Sequence, residues 1–192
     1  MAWYLPSHTD PARDDEMIRR IVALRAGGDR VDGIGLDLES SEVADVALRS
    51  RRAIAFAKAA RRSAGARMPI AAIVYPAVQL EQLNAALWPQ FPYKQVNPYV
   101  DAWMPMAYYT YRDGDLRSPE KYIGDSVKIL RKRVGDDSVP VHVIGGIADL
   151  TTSKDIVDLR AAAKATDAIG YSLYDYVTTG SAAWPYLRGK AG

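Results

Sequence analysis

The chain contains 192 residues, of which 48% are hydrophobic and 25% charged, as expected for a globular domain with one substantial core. The formal net charge is only +2, and the basic residues fall mainly on predicted exposed helix faces, which argues against a nucleic-acid partner. The sequence has no cysteine, only two histidines and no apolar run of the roughly 18 residues that span a membrane, so no cofactor, metal site or membrane partner is predicted.

Six short strands alternate with helical segments along the chain. The strands are continuous apolar runs more than strict alternations, which is typical of a parallel sheet covered by helices. The predicted strands are 2–6, 31–39, 69–76, 100–109, 139–147 and 168–176. The predicted helices are 10–27, 40–65, 118–135, 151–166 and, with a weaker pattern, 181–189.

Several helix ends are marked by residues that favour caps. Asp10 and Ser118 are predicted N-caps because a proline follows each of them, and Gly135 is predicted to end its helix. The second helix is expected to begin at Ser40 and Ser41. These signals predict where the helices start and stop, independently of the fold.

Two fold classes fit this alternation, a doubly wound open sheet and a β/α barrel. No dinucleotide fingerprint or P-loop follows a strand, and Gly145 and Gly146 lack the rest of such a motif. The strand ends instead carry polar or aromatic residues, as they do around the active site of a barrel. We therefore predict an α/β protein of the (β/α)8 TIM-barrel type, in a single domain over 1–192.

The predicted barrel is incomplete in this chain. A complete barrel has eight strands and about 250 residues, whereas the sequence supplies six β/α units, so the first two units are predicted to be missing. Open sheet edges expose unpaired backbone groups. Self-association through these edges is therefore predicted.

The strand over 31–39 ends in two carboxylates. Successive strand side chains point to opposite faces, and Ile34, Leu36 and Leu38 are expected to face the helices. Asp37 and Glu39 then point into the barrel together. Two carboxylates two residues apart on one strand face repel each other, so one of them retains its proton more easily. The general acid of glycosidic bond cleavage must likewise hold a proton. The simpler alternative is two solvated or helix-capping acids.

Other strand ends supply candidate substrate-binding residues. Twelve Tyr and four Trp beside two Phe favour a sugar site, because flat rings with polar tips stack on sugar faces and bind hydroxyl groups. The ring of Tyr174 has a second interpretation, as packing between the sheet and the last helix. The candidates are His8, Tyr75, Tyr108, Tyr109, Tyr174 and Asp175.

The sequence "DGIGLDLE" resembles the D-G-x-D-x-D-x-E strand of the glycoside hydrolase family 18 chitinase-like barrels, matching it at Asp32, Gly33, Asp37 and Glu39. Two strands later, "MAYY" at 106–109 resembles the M-x-Y-D strand of that family. The whole pattern also resembles bacterial barrel proteins described only as glycosidase-like. By this register the six strands correspond to the third to the eighth of the barrel.

The resemblance implies specific roles. Glu39 would protonate the leaving oxygen, Asp37 would orient a substrate N-acetyl group that acts as nucleophile, and Tyr108 would hold that group. Two positions depart from the family, since its middle Asp is Gly35 here and the Asp of M-x-Y-D is Tyr109. The resemblance therefore implies a glycosidase acting on an oligo- or polysaccharide, without fixing the sugar as chitin. Such barrels are mostly extracellular, whereas this sequence shows no signal peptide, and the compartment stays open.

Three alternatives remain at this stage. The first is a non-catalytic carbohydrate- or cell-wall-binding barrel that retains the aromatic residues without turnover. The second is a barrel acting on phosphorylated metabolites, which needs a phosphate cradle near the last loops, where Thr151, Thr152 and Ser153 instead predict a helix cap. The third assigns the nucleophile to Asp175.

Overall fold

A computed structural model describes residues 1–189, so the last three residues of the predicted domain lie outside the described part. The strands are β1 (Ala2–Tyr4), β2 (Ile34–Asp37), β3 (Ile70–Val74), β4 (Ala102–Pro105), β5 (His142–Ile147) and β6 (Gly170–Tyr174). The α-helices are α1 (Pro11–Ala23), α2 (Val46–Ala64), α3 (Tyr93–Val96), α4 (Pro119–Val134), α5 (Ser153–Ala165) and α6 (Trp184–Leu187). Each observed strand lies inside its predicted segment and is shorter than that segment.

All strand pairings between these elements are parallel. Strands β1 to β4 form one sheet in chain order, and β5 and β6 form a second. Single parallel bridges from Trp103 to Val141 and from Met106 to Ile144 place β5 beside β4. The strands thus run from β1 to β6 in sequence order, each followed by a helix, which confirms an α/β protein built on small parallel sheets.

The two faces of the strands carry different side chains, as the alternation predicts. Ile34, Leu36 and Leu38 are fully buried in the main core, together with apolar residues of the helices. On the opposite face, Ile73 and Met106 pack with Ile144 in a separate small cluster. Towards the carboxyl ends of the strands, this second face carries polar residues.

Local capping signals predict the starts of α1 and α4 and the end of α4 correctly, but not the start of α2. The carboxylate of Asp10 and the hydroxyl of Ser118 accept backbone N–H groups at the starts of α1 and α4, and Gly135 ends α4 with a left-handed conformation. The expected start of the second helix at Ser40 and Ser41 is wrong, since α2 begins at Val46. Asp45 is its N-cap, accepting the backbone N–H of Leu48.

Candidate active site at the strand ends

An open cleft of about 480 Å³ lies at the carboxyl ends of the strands. Its lining combines two carboxylates, four aromatic rings and three apolar side chains. Five of the six strands, or the turns that directly follow them, contribute to it. The lining residues are Trp3, Leu5, Asp37, Glu39, Met106, Tyr108, Tyr111, Ile147 and Tyr174.

Asp37 is the last residue of β2 and is only 5% exposed. The indole N–H of Trp3 donates a hydrogen bond of 2.7 Å to its Oδ2 atom, whereas Oδ1 is buried without a partner among the described residues. Burial raises the pKa of the Asp37 carboxyl to about 7, opposed by the Trp3 hydrogen bond and assisted by the charge of Glu39. Asp37 is therefore protonated below about pH 7 and ionised above it, well above the range in which an ordinary aspartate titrates.

Glu39 lies two residues further on, in the turn that follows β2. It is half-buried and lines the same cleft. Burial also raises the pKa of the Glu39 carboxyl. The strand therefore presents two interacting carboxyls in one cleft, both with a raised proton affinity. The two groups titrate together, so a measured pKa describes the pair and not one residue alone.

The aromatic rings form a continuous wall. The ring of Trp3 meets that of Tyr174 edge-on with centroids 6.1 Å apart, and Tyr174 lies 5.8 Å from Tyr108. Tyr111 meets Tyr108 edge-on at 6.3 Å. Burial, followed by the neighbouring Tyr174 and the two carboxyls, raises the pKa of the Tyr108 hydroxyl, so it remains a hydrogen-bond donor at neutral pH.

Tyr75 lies close to the carboxyl pair without lining the cleft. Its pKa is raised first by burial and then by the charges of Glu39 and Asp37. Its ring packs against the main core. Tyr75 thus belongs to the core next to the pair and not to the cleft.

The structure does not bring Tyr109, His8 or Asp175 into this cleft. Tyr109 is fully buried, its hydroxyl donates to the backbone oxygen of Asp155 at 3.3 Å, and the Arg117 guanidinium lies over its ring. After Met106 the backbone turns, and for this reason adjacent Tyr108 and Tyr109 enter different environments.

His8 faces a different cavity from the cleft that holds the carboxyl pair. Its ring is buried, meets the edges of Phe56 and Trp88, and lines a separate cavity of about 190 Å³ near α1 and α2. Burial lowers the pKa of His8 to about 4, so its ring is neutral at pH 7. His8 therefore does not line the cleft of the carboxyl pair.

Asp175 follows β6 and caps a turn. Its carboxylate accepts the backbone N–H and the hydroxyl of Thr178 at 3.0 and 2.9 Å. These bonds, the backbone one foremost, lower the pKa of the Asp175 carboxyl. They give Asp175 a structural role at this turn, and Asp175 does not line the cleft although its neighbour Tyr174 does.

Trp3 and Tyr111 line the cleft although sequence analysis did not select them. Trp3 lies in the middle of β1, and Tyr111 lies in a short 3-10 turn beyond β4. The signal for Trp3 is its strand partner, since it pairs with Gly35 on β2, two residues before Asp37. That register becomes visible only once the strands are paired.

Comparisons with protein families, curated proteins and solved structures find no match to this chain. Among the described residues, no helix has the length and apolar character required to cross a membrane. Within the same part of the chain, no group of three or more acidic, histidine or cysteine residues is arranged to hold a metal ion.

Proposed function

We propose that this protein is a glycoside hydrolase-like β/α barrel that cleaves glycosidic bonds in an oligo- or polysaccharide. The observation that carries the proposal is the placement of Asp37 and Glu39 in one cleft with four aromatic rings. A carboxyl pair with raised proton affinity supplies an acid near neutral pH. The rings supply flat surfaces for sugar, with hydroxyl and indole donors at their edges.

The strand arrangement supports the barrel type. Six parallel strands follow one another in chain order, with apolar residues facing the helices and a second side-chain cluster on the opposite face. Trp3 on the first strand contacts Tyr174 on the last, so the two ends of the row approach each other. Active sites of such barrels lie at the carboxyl ends of the strands, where this cleft lies.

Glu39 is the proposed general acid. It is half-buried at the cleft wall, where a substrate oxygen has access, whereas Asp37 is almost fully enclosed. Glu39 donates its proton to the glycosidic oxygen as the bond from that oxygen to the anomeric carbon breaks. Asp37 shares the charge of the pair and orients the nucleophile that forms the new bond to the anomeric carbon, which is a substrate N-acetyl group where the sugar carries one and otherwise water. Water is the group finally added to the anomeric carbon, and the leaving sugar departs with the proton from Glu39. Tyr108, whose hydroxyl stays protonated, donates a hydrogen bond to the substrate.

A second function, binding without hydrolysis, is favoured by one observation. At the position of the family's middle Asp, a Cβ atom on Gly35 would lie 2.6 Å from Cδ1 of Ile73. The space next to Asp37 that a third carboxylate would need is thus occupied by an apolar side chain. A protein that retains the aromatic wall without this carboxylate fits a carbohydrate-binding barrel.

Hydrolysis of a panel of nitrophenyl glycosides and of chito-, cello- and malto-oligosaccharides tests the proposal. We expect Glu39→Gln to lower kcat by roughly 10²- to 10⁴-fold, the usual contribution of a general acid. Glu42→Gln, at an exposed glutamate three residues further on, is the matched control and should retain activity. Sugar binding without cleavage would favour the binding protein, and the absence of both would overturn the two functions together.

A further inference from the structure

Trp3 makes the only side-chain hydrogen bond to Asp37 among the described residues. Trp3 is 41% exposed on the outermost strand of its sheet, yet its indole N–H group is directed at a carboxyl that is almost fully buried. The edge of the Tyr174 ring supports the same indole. The position of the Trp3 indole N–H is thus set by the pairing of β1 with β2 and by the contact with the Tyr174 ring.

The register of the strands explains why the indole reaches this carboxyl. Trp3 pairs with Gly35, and Asp37 follows two residues later on the same face of β2. The distance to the diagonal neighbour on an adjacent strand lies within reach of a long aromatic side chain. The side chain of Ile73 occupies the space beside Gly35. The polar contact to the Asp37 carboxyl is therefore made by Trp3 on β1 and not by a side chain of β2 itself.

We propose that Trp3 is a positioning residue for the acid pair, because its indole N–H fixes the orientation of the Asp37 carboxyl and stabilises the ionised form. Since Oδ2 accepts the indole N–H, the proton of neutral Asp37 lies on Oδ1, the oxygen without a partner. The other titratable groups that act on this site are Glu39, Tyr75 and Tyr108. The catalytic consequence rests on the proposed function, whereas the hydrogen bond does not.

The indole N–H resonances of the intact protein test the hydrogen bond without any assay of activity. We expect the ¹H and ¹⁵N shifts of Trp3 to change between pH 5 and 9 with a midpoint near 7, the pKa of Asp37. Trp88 and Trp103 are internal controls, because their indoles donate to the neutral side chains of Ser50 and Asn97. A flat Trp3 titration, or one that persists in Asp37→Asn, would overturn the proposal.

A variant then tests the consequence for catalysis. Trp3→Phe retains a ring but removes the donor to Asp37. Because Asp37 and Glu39 titrate as a pair, we expect the loss of activity at high pH, where the pair loses its proton, to move upward by about one pH unit, as removal of a hydrogen bond to a charged group implies. Trp184→Phe, outside the cleft, should leave the profile unchanged. An unchanged profile in Trp3→Phe would overturn the positioning role. If the protein hydrolyses nothing, the proposed function fails, but the wild-type titration still decides the inference.

Discussion

Asp37 shows at the scale of one residue how burial and chemistry are linked. A carboxyl that is removed from water favours its neutral form, and at this position one hydrogen bond and one neighbouring carboxyl modify that preference. The ordinary pKa of 3.8 rises to about 7. The folded state therefore binds more protons than the unfolded state between these values, so stability falls as the pH rises through this window.

This linkage predicts the effect of Asp37→Asn on stability. The amide still accepts the Trp3 N–H but cannot ionise, so the variant should match the wild type near pH 4 and be more stable at pH 8. The difference is on the order of 4 kcal/mol, from the size of the pKa change. Urea unfolding at the two pH values measures it, with Asp149→Asn at an exposed carboxyl as the control. Equal free energies of unfolding for Asp37→Asn and wild type at pH 8 would show that Asp37 ionises freely.

Adjacent Tyr108 and Tyr109 form a matched pair, since one lines the cleft and the other is fully buried. Tyr109→Phe removes the bond to the backbone oxygen of Asp155 and should cost about 1 kcal/mol of stability with turnover unchanged. Tyr108→Phe should lower kcat/KM up to about tenfold, the value of one neutral hydrogen bond, with little change in stability. Thermal unfolding and steady-state kinetics separate the two effects, and the reverse pattern would contradict the placement of the site.

At the scale of elements, the sequence predicts those helix boundaries that depend only on residues next to them in the chain. The caps at Asp10 and Ser118 were predictable because each cap satisfies backbone groups of its own helix. The start of α2 was not, because Ser40, Ser41 and Asp45 all suit an N-cap. Its selection depends on the tertiary structure, in which the Ser40 hydroxyl instead bonds to the backbone oxygen of Ser7.

The two outermost strands lead to a prediction about association. Within the described residues, β1 and β6 each pair with one strand only, and Ile169, directly before β6, is 66% exposed. We expect concentration-dependent self-association in sedimentation velocity, weakened at least about tenfold by Ile169→Lys, because a charge at a free edge opposes strand pairing. Leu24→Lys, a 52% exposed leucine at the end of α1, is the control. A monomer at all concentrations would contradict this prediction.

The residues of the cleft were predictable only in part, because the sequence reports local structure and not which strands pair. Asp37 and Tyr174 follow from strand alternation, which requires no knowledge of neighbouring strands. Glu39 and Tyr108 lie just beyond β2 and β4, and their prediction extended the alternation past the strand ends. Trp3 depends on the pairing of β1 with β2. Tyr109 lies where the chain leaves its strand for a 3-10 turn, and at such a boundary the two-residue period no longer determines which way a side chain points.

At the scale of the whole molecule, the cleft exists only when the row of strands is assembled. Its walls come from Trp3 on β1, Asp37 on β2, Tyr108 beyond β4, Ile147 on β5 and Tyr174 on β6. Contact between the rings of Trp3 and Tyr174 joins the first strand to the last. The proposed chemistry is thus a property of the six assembled strands, although its acid comes from one short segment.

The most direct test of this account is a crystal structure of Glu39→Gln soaked with each oligosaccharide of the hydrolysis panel. We expect a sugar in the cleft, stacked on the aromatic wall, with a glycosidic oxygen about 3 Å from the side chain at position 39, the reach of a general acid. A sugar bound outside the cleft, or a cleft empty with every oligosaccharide of the panel, would contradict the assignment of this site.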